Sequence, residues 1–124
     1  MTWNLDNNMP IYLQLMERIQ RDIISGRFGP GDKLPSVREL AVEAAVNPNT
    51  MQKALSELER GGLVYSQRTS GRFITEDEEL IKELKKEQAE KYLVEFMENM
   101  RSLGLKEEEI RALFEDAWKG EKRA

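Results

Sequence analysis

From Pro10 onward, apolar residues recur every three or four positions: Ile11, Leu15, Ile19 and Ile23, with Tyr12, Met16 and Ile24 beside them. That period predicts an amphipathic helix, opened by a proline that needs no N–H at its start and closed at Ser25-Gly26. Arg27-Phe28-Gly29-Pro30-Gly31-Asp32 is dense in Gly and Pro, so a sharp turn is expected before Lys33-Leu34-Pro35. A second helix starts at Ser36. There Ser36 and Glu39 form an S-x-x-E capping box, and Val37, Leu40, Ala41 and Ala44 give a buried stripe.

Asn47-Pro48 reads as an N-cap followed by proline at the first helical position, which begins a third helix running to Arg60. Met51, Ala54, Leu55 and Leu58 form its apolar face, while Asn49, Thr50, Gln52, Lys53 and Ser56 fall on the other side. Gly61-Gly62 stops it. Leu63 to Gln67 and Arg72 to Thr75 then predict two short strands around Arg68-Thr69-Ser70-Gly71. Beyond Glu76, Leu80, Leu84, Tyr92, Leu93, Phe96, Met97, Met100 and Leu103 mark a long helix that Gly104 breaks. Glu107, Glu108 and Glu109 place negative charge at the start of a last helix, whose stripe is Ile110, Leu113, Phe114, Ala117 and Trp118. Gly120 to Ala124 is expected to fray.

The fold class is therefore mainly α. It consists of a winged helix-turn-helix of three helices and a small β-hairpin wing, spanning residues 1–75, followed by a two-helix appendage over 76–124. Each part of the first domain has a physical task. The second helix braces the third, the third lays its polar face in a major groove wide enough to admit a helix, and the hairpin reaches flanking backbone or minor groove. Asn49, Thr50 and Gln52 can hydrogen-bond base edges or phosphates, Lys53 offers a positive charge, and Arg38 can reach a phosphate or a guanine. Ser36, Arg68, Gly71 and Arg72 complete the candidate DNA-binding set.

Composition narrows the chemistry. The chain has 124 residues, enough for one modest core but not for two full-sized domains. It has neither Cys nor His, which removes disulfides, thiolate metal sites and the commonest general base. No catalytic residue, metal ligand or cofactor is expected. No apolar run approaches the roughly 20 residues a bilayer requires, so a cytoplasmic protein without membrane contact is expected. The net charge of −4 is unevenly spread: residues 1–75 carry 9 Lys/Arg against 8 Asp/Glu, whereas residues 76–124 carry 10 against 15. The front can turn one basic face to phosphate, and the acidic rear is suited to another task. For Leu93, Phe96, Met97, Met100, Leu113, Phe114 and Trp118, a dimerisation stripe is favoured over the lining of a ligand pocket.

At these same residues the chain resembles the GntR family of bacterial regulators, in particular its compact YtrA-type branch. The resemblance runs through Pro10-Ile11-Tyr12, the stretch Gly29-Pro30-Gly31-Asp32-Lys33-Leu34-Pro35-Ser36-Val37-Arg38-Glu39-Leu40-Ala41, Val46-Asn47-Pro48-Asn49-Thr50, and Ala54-Leu55-Ser56-Glu57-Leu58-Glu59-Arg60-Gly61-Gly62-Leu63-Val64. It implies that Arg38, Asn49, Thr50 and Gln52 occupy DNA-contacting positions, that Gly71 is the wing tip, and that the last two helices pair two copies. Many members carry Arg where this chain has Pro48 and Gln52. The expected function is sequence-specific transcription regulation, as a repressor bound to an inverted-repeat, double-stranded operator as a homodimer. A small-molecule effector is left undefined. The alternative is a protein-interaction module whose winged helix no longer binds DNA.

Overall fold

A computed structural model describes residues 3–123. Its elements are α1 (Ile11–Ile24), α2 (Val37–Ala44), α3 (Pro48–Arg60), β1 (Val64–Gln67), β2 (Gly71–Ile74), α4 (Glu78–Ser102) and α5 (Glu107–Arg123). The order matches the expected winged helix followed by two helices. The chain divides into two compact units, Met1–Lys85 and Lys86–Ala124, and α4 crosses the division.

In the first unit the helical periods do what the sequence predicts. Leu15, Ile19 and Ile23 of α1 meet Met51, Ala54, Leu55 and Leu58 of α3, and Leu40, Ala41 and Ala44 of α2 close the same core. Val64 and Ile74 of the wing are buried with them, and Ile81 and Leu84 from the start of α4 pack against the cluster. The capping box at Ser36 forms as expected: its hydroxyl accepts from the Glu39 N–H at 3.1 Å, and its own N–H donates to the Glu39 carboxylate at 3.3 Å. Asn47 caps α3 by accepting from the Asn49 N–H at 2.7 Å. Between α2 and α3 the chain turns through Ala45 at φ +59, a left-handed conformation that costs a residue with a Cβ.

Two features of this unit lie beyond the periodic pattern. Trp3, ahead of the first helix, is 7 % exposed; its indole N–H donates to Glu43 at 2.8 Å, and the Arg18 guanidinium lies 4.8 Å from its ring centre. The Gly- and Pro-rich turn also ends in sheet pairing, because residues 31–34 run along the edge of β2. Gly31 donates to the Ile74 carbonyl at 3.0 Å, Ile74 to Asp32 at 2.8 Å and Leu34 to Arg72 at 2.9 Å, with Lys33 opposite Phe73. The hairpin itself pairs antiparallel, Val64 with Ile74 through Gln67 with Gly71, and Tyr65 stacks on Phe73 with ring centres 5.8 Å apart.

In the second unit α4 turns at Leu103-Gly104, with Gly104 at φ +83, into α5. Phe96 meets Phe114 edge-on at 6.4 Å, and Phe114 stacks on Trp118 at 6.0 Å. Lys106 stands where a Ser or Thr cap would complete a capping box. Only half of the box forms, the Lys106 N–H donating to Glu109 at 3.1 Å. The fraying expected over Gly120 to Ala124 is not seen through Arg123, as α5 continues past Gly120; Ala124 lies outside the described residues. One glycine costs a helix only about 1 kcal/mol relative to alanine, which is too little to end it.

Candidate nucleic-acid interface

α3 is held by its buried face and offers its polar one. Met51, Ala54 and Leu55 are 0 % exposed, which fixes the rotation of the helix about its axis. Asn49, Gln52, Lys53 and Ser56 are then exposed, and Thr50 is half-buried. Since Asn47 is the cap, the Asn49 side chain is not needed for that task. The Gln52 amide donates to the Ser56 hydroxyl one turn on at 3.3 Å, a weak exposed bond that a better partner can replace. Lys53 leans toward α1, its ammonium 3.9 Å from the centre of the Tyr12 ring. That contact limits where the charge can go and aims it at the flank of α3.

Arg38 is exposed on α2. The acids that could have neutralised it are engaged elsewhere. Glu39 serves the cap at Ser36, and Glu43 receives Trp3 at 2.8 Å and Arg27 at 3.2 Å. Partial burial works to raise the Glu43 carboxyl's pKa, but the Trp3 and Arg27 hydrogen bonds outweigh it and hold it below its ordinary value. The Arg27 guanidinium, bonded to Glu43 and beside Asp22, is correspondingly raised. Among the described residues Arg38 forms no ion pair.

The wing and the start of α2 enclose an open cleft of about 880 Å³, which brings together Ser36, Arg68, Gly71 and Arg72. Arg38 and the α3 candidates do not line it. Within it the two wing arginines differ. Arg68 is exposed at the hairpin turn, whereas the Arg72 side chain is only 17 % exposed and its Nε lies 3.2 Å from the Glu59 carboxylate, which also accepts from Ser66 at 2.8 Å. Arg72 thus ties the wing to α3. Lys33 also lines the cleft, a position that sequence patterning missed because a single bridge leaves no periodic trace.

In the second unit four of the seven expected interface residues come together in one groove. Leu93, Phe96, Met97 and Phe114 line an open groove of about 260 Å³ with Ile110, Glu107 and Arg111. Leu93, Leu113, Phe114 and Trp118 are 57, 49, 45 and 52 % exposed. Met100 is half-buried on α4 outside the groove. Among the described residues no helix is long and apolar enough to cross a membrane, and no group of acidic, His or Cys side chains could hold a metal.

Residues 11–74 match the model of the bacterial regulatory proteins of the gntR family. The chain is 44 % identical over 84 % of its length to YhcF, an HTH-type transcriptional regulator of Bacillus subtilis, covering 86 % of that protein. It is 45 % identical to the HTH-type transcriptional repressor YtrA of the same organism over 57 % of this chain and 55 % of YtrA. Among solved structures, a GntR family transcriptional regulator from Listeria monocytogenes superposes with a TM-score of 0.82 at 38 % identity, covering 90 % of this chain and 98 % of that one. The AraR DNA-binding domain in complex with operator ORX1 superposes with a TM-score of 0.53 at 33 % identity, over 60 % of this chain and 92 % of that one. The helix order, the wing and these matches lead to one assignment: the protein belongs to the GntR family of bacterial regulatory proteins, DNA-binding transcription regulators with a winged helix, and has YtrA among its relatives.

Proposed function

We propose that this protein is a repressor that binds an inverted-repeat operator as a homodimer and silences transcription by occupying it. The observation that carries the reading is the polar face of α3, fixed in rotation by a fully buried opposite face. In this reading Asn49, Thr50 and Gln52 meet the major groove, while Lys53, held at the flank over Tyr12, meets phosphate. Arg38 reaches base or backbone from α2. Ser36, Arg68 and Gly71 follow the strand past the wing, and Arg72 braces the wing through Glu59. Similarity to the transcriptional repressor YtrA supports repression, and the AraR domain solved on operator DNA supports the mode of contact.

Dimerisation is assigned to the second unit, through Leu93, Phe96, Met97, Met100, Leu113, Phe114 and Trp118. An apolar stripe left this open to water favours a partner surface, and a groove of about 260 Å³ falls below the roughly 300 Å³ at which ligand pockets begin. A two-fold pair of heads would match half-sites about one helical turn apart, roughly 34–36 Å. The protein acts on chromosomal DNA in the cytoplasm, without catalysis of its own.

Selection of bound duplexes from a random pool, at two salt concentrations, tests the reading. A palindromic product whose affinity falls steeply with salt is expected. No enrichment at either salt would overturn it in favour of a protein-interaction module. On the selected operator, Arg38→Ala should weaken binding by about 1–3 kcal/mol if Arg38 reads a base, and should act alike on all sequences if it meets phosphate.

A further inference from the structure

We propose that Lys33 is a DNA-backbone contact belonging to the wing, although it precedes both wing strands in the sequence. The inference rests on the DNA-binding reading above and adds to it a residue that the candidate set lacks.

The position follows from the backbone. Residues 31–34 pair with β2 through the Gly31, Leu34 and Ile74 amides, and Lys33 sits opposite Phe73. Side chains along an extended segment alternate between faces. Leu34, 2 % exposed, goes into the core alongside Ile74, so Lys33 must go the other way, toward the face of Phe73 and Gly71. Its stem then runs beside the wing tip. A Cβ at Gly71 would lie 3.2 Å from the Lys33 Cε and 4.0 Å from its Nζ, so the Lys33 chain passes directly beside Gly71, where the backbone at φ +106 calls for glycine.

The charge balance around the cleft gives Lys33 its task. Arg72 is held by Glu59, whereas the Lys33 ammonium makes no ion pair among the described residues. It is exposed on a cleft it shares with Ser36, Arg68 and Gly71. An ammonium whose stem is already confined loses less side-chain freedom on meeting a phosphate than one on an open surface. The bare backbone of Gly71 beside it lets a DNA strand come close.

The test measures affinity of the full chain for its selected operator and for a scrambled duplex of equal length, between 50 and 200 mM salt. Lys33→Gln should lower the slope of log affinity against log salt by about 0.9, the loss of one phosphate contact, so its deficit should shrink about 3.5-fold over that range. The loss should be alike on both duplexes, and Lys33→Arg should restore the slope. An unchanged slope in Lys33→Gln, a loss confined to the operator, or no recovery with Lys33→Arg would overturn the assignment. Circular dichroism melts accompany each variant, so that a folding defect, which Arg and Gln at an exposed site should share, is separated from a charge effect. Should the unaltered protein bind neither duplex, the DNA-binding reading itself fails; a steep slope that Lys33→Gln leaves intact removes only the present inference.

Discussion

Leu55 and Phe114 are large apolar residues on amphipathic helices of similar pattern, yet Leu55 is 0 % exposed and Phe114 is 45 % exposed. The contrast extends to their surroundings. Around Leu55, three helices and a wing leave Leu15, Ile19, Met51 and Ile74 at 0 %. Among the described residues of the second unit only Ile110, at 5 %, is buried, while Leu93, Leu113, Phe114 and Trp118 stay near half open. A period of 3.6 therefore says which face of a helix is apolar, and the number of elements packed against it decides whether that face is closed. Two helices cannot fully enclose each other's apolar faces, and in the proposed function the part left open to water acts between molecules.

The largest expected effect comes from opening the closed side. Leu55→Ala should cost about 2–5 kcal/mol in chemical denaturation and take DNA binding with it, as the cavity sits directly behind α3. A cost below 1 kcal/mol would mean that this core is no tighter than the second unit. Phe114→Ala should act differently, weakening self-association by about 2 kcal/mol, roughly 30-fold, in sedimentation equilibrium. In dilute solution it should leave the melting of the first unit unchanged. Equal losses in both assays, independent of protein concentration, would erase the distinction between a core and an interface.

Smaller changes probe how the first unit completes its closure with polar groups. Glu43→Gln weakens the acceptor of Trp3 and Arg27 and should cost about 1 kcal/mol at neutral pH. The folded carboxyl has a depressed pKa, so its contribution is full above the unfolded value and is lost as pH falls through the folded one. Thermal melts of the two proteins should differ at pH 7 and converge in acid; a gap that persists at low pH would assign the effect to packing. Smallest is Ala45→Gly. Relief of the left-handed strain at φ +59 outweighs the extra freedom of the unfolded glycine, and a gain of about 0.5 kcal/mol is expected by denaturation. A loss would show the strain at Ala45 to be smaller than the entropy.

What the sequence made legible follows from the same physics. The stripes of α1 and α3 were readable because many turns repeat one signal, and Ser36, Asn47 and Pro48 marked helix starts through local hydrogen bonding. Contacts between distant residues left no such mark. Tyr12 and Lys53 lie 41 positions apart, Arg72 and Glu59 meet only once the wing folds onto α3, and Trp3 precedes the first periodic residue. The candidate residues could thus be listed by type and face. Which cations are already paired, and which remain available, emerged only from the fold.

The pairing of residues 31–34 with β2 has a consequence for the timing of local opening. Because α2, α3 and β1 all lie between Leu34 and Arg72, whose backbones bond at 2.9 Å, this bond closes a loop that contains all three. A surface hairpin would exchange its amide hydrogens by fraying alone. Here the amides of Leu34 and Ile74, whose side chains are buried, are expected to exchange more slowly than those of the exposed hairpin turn, which amide hydrogen exchange would measure.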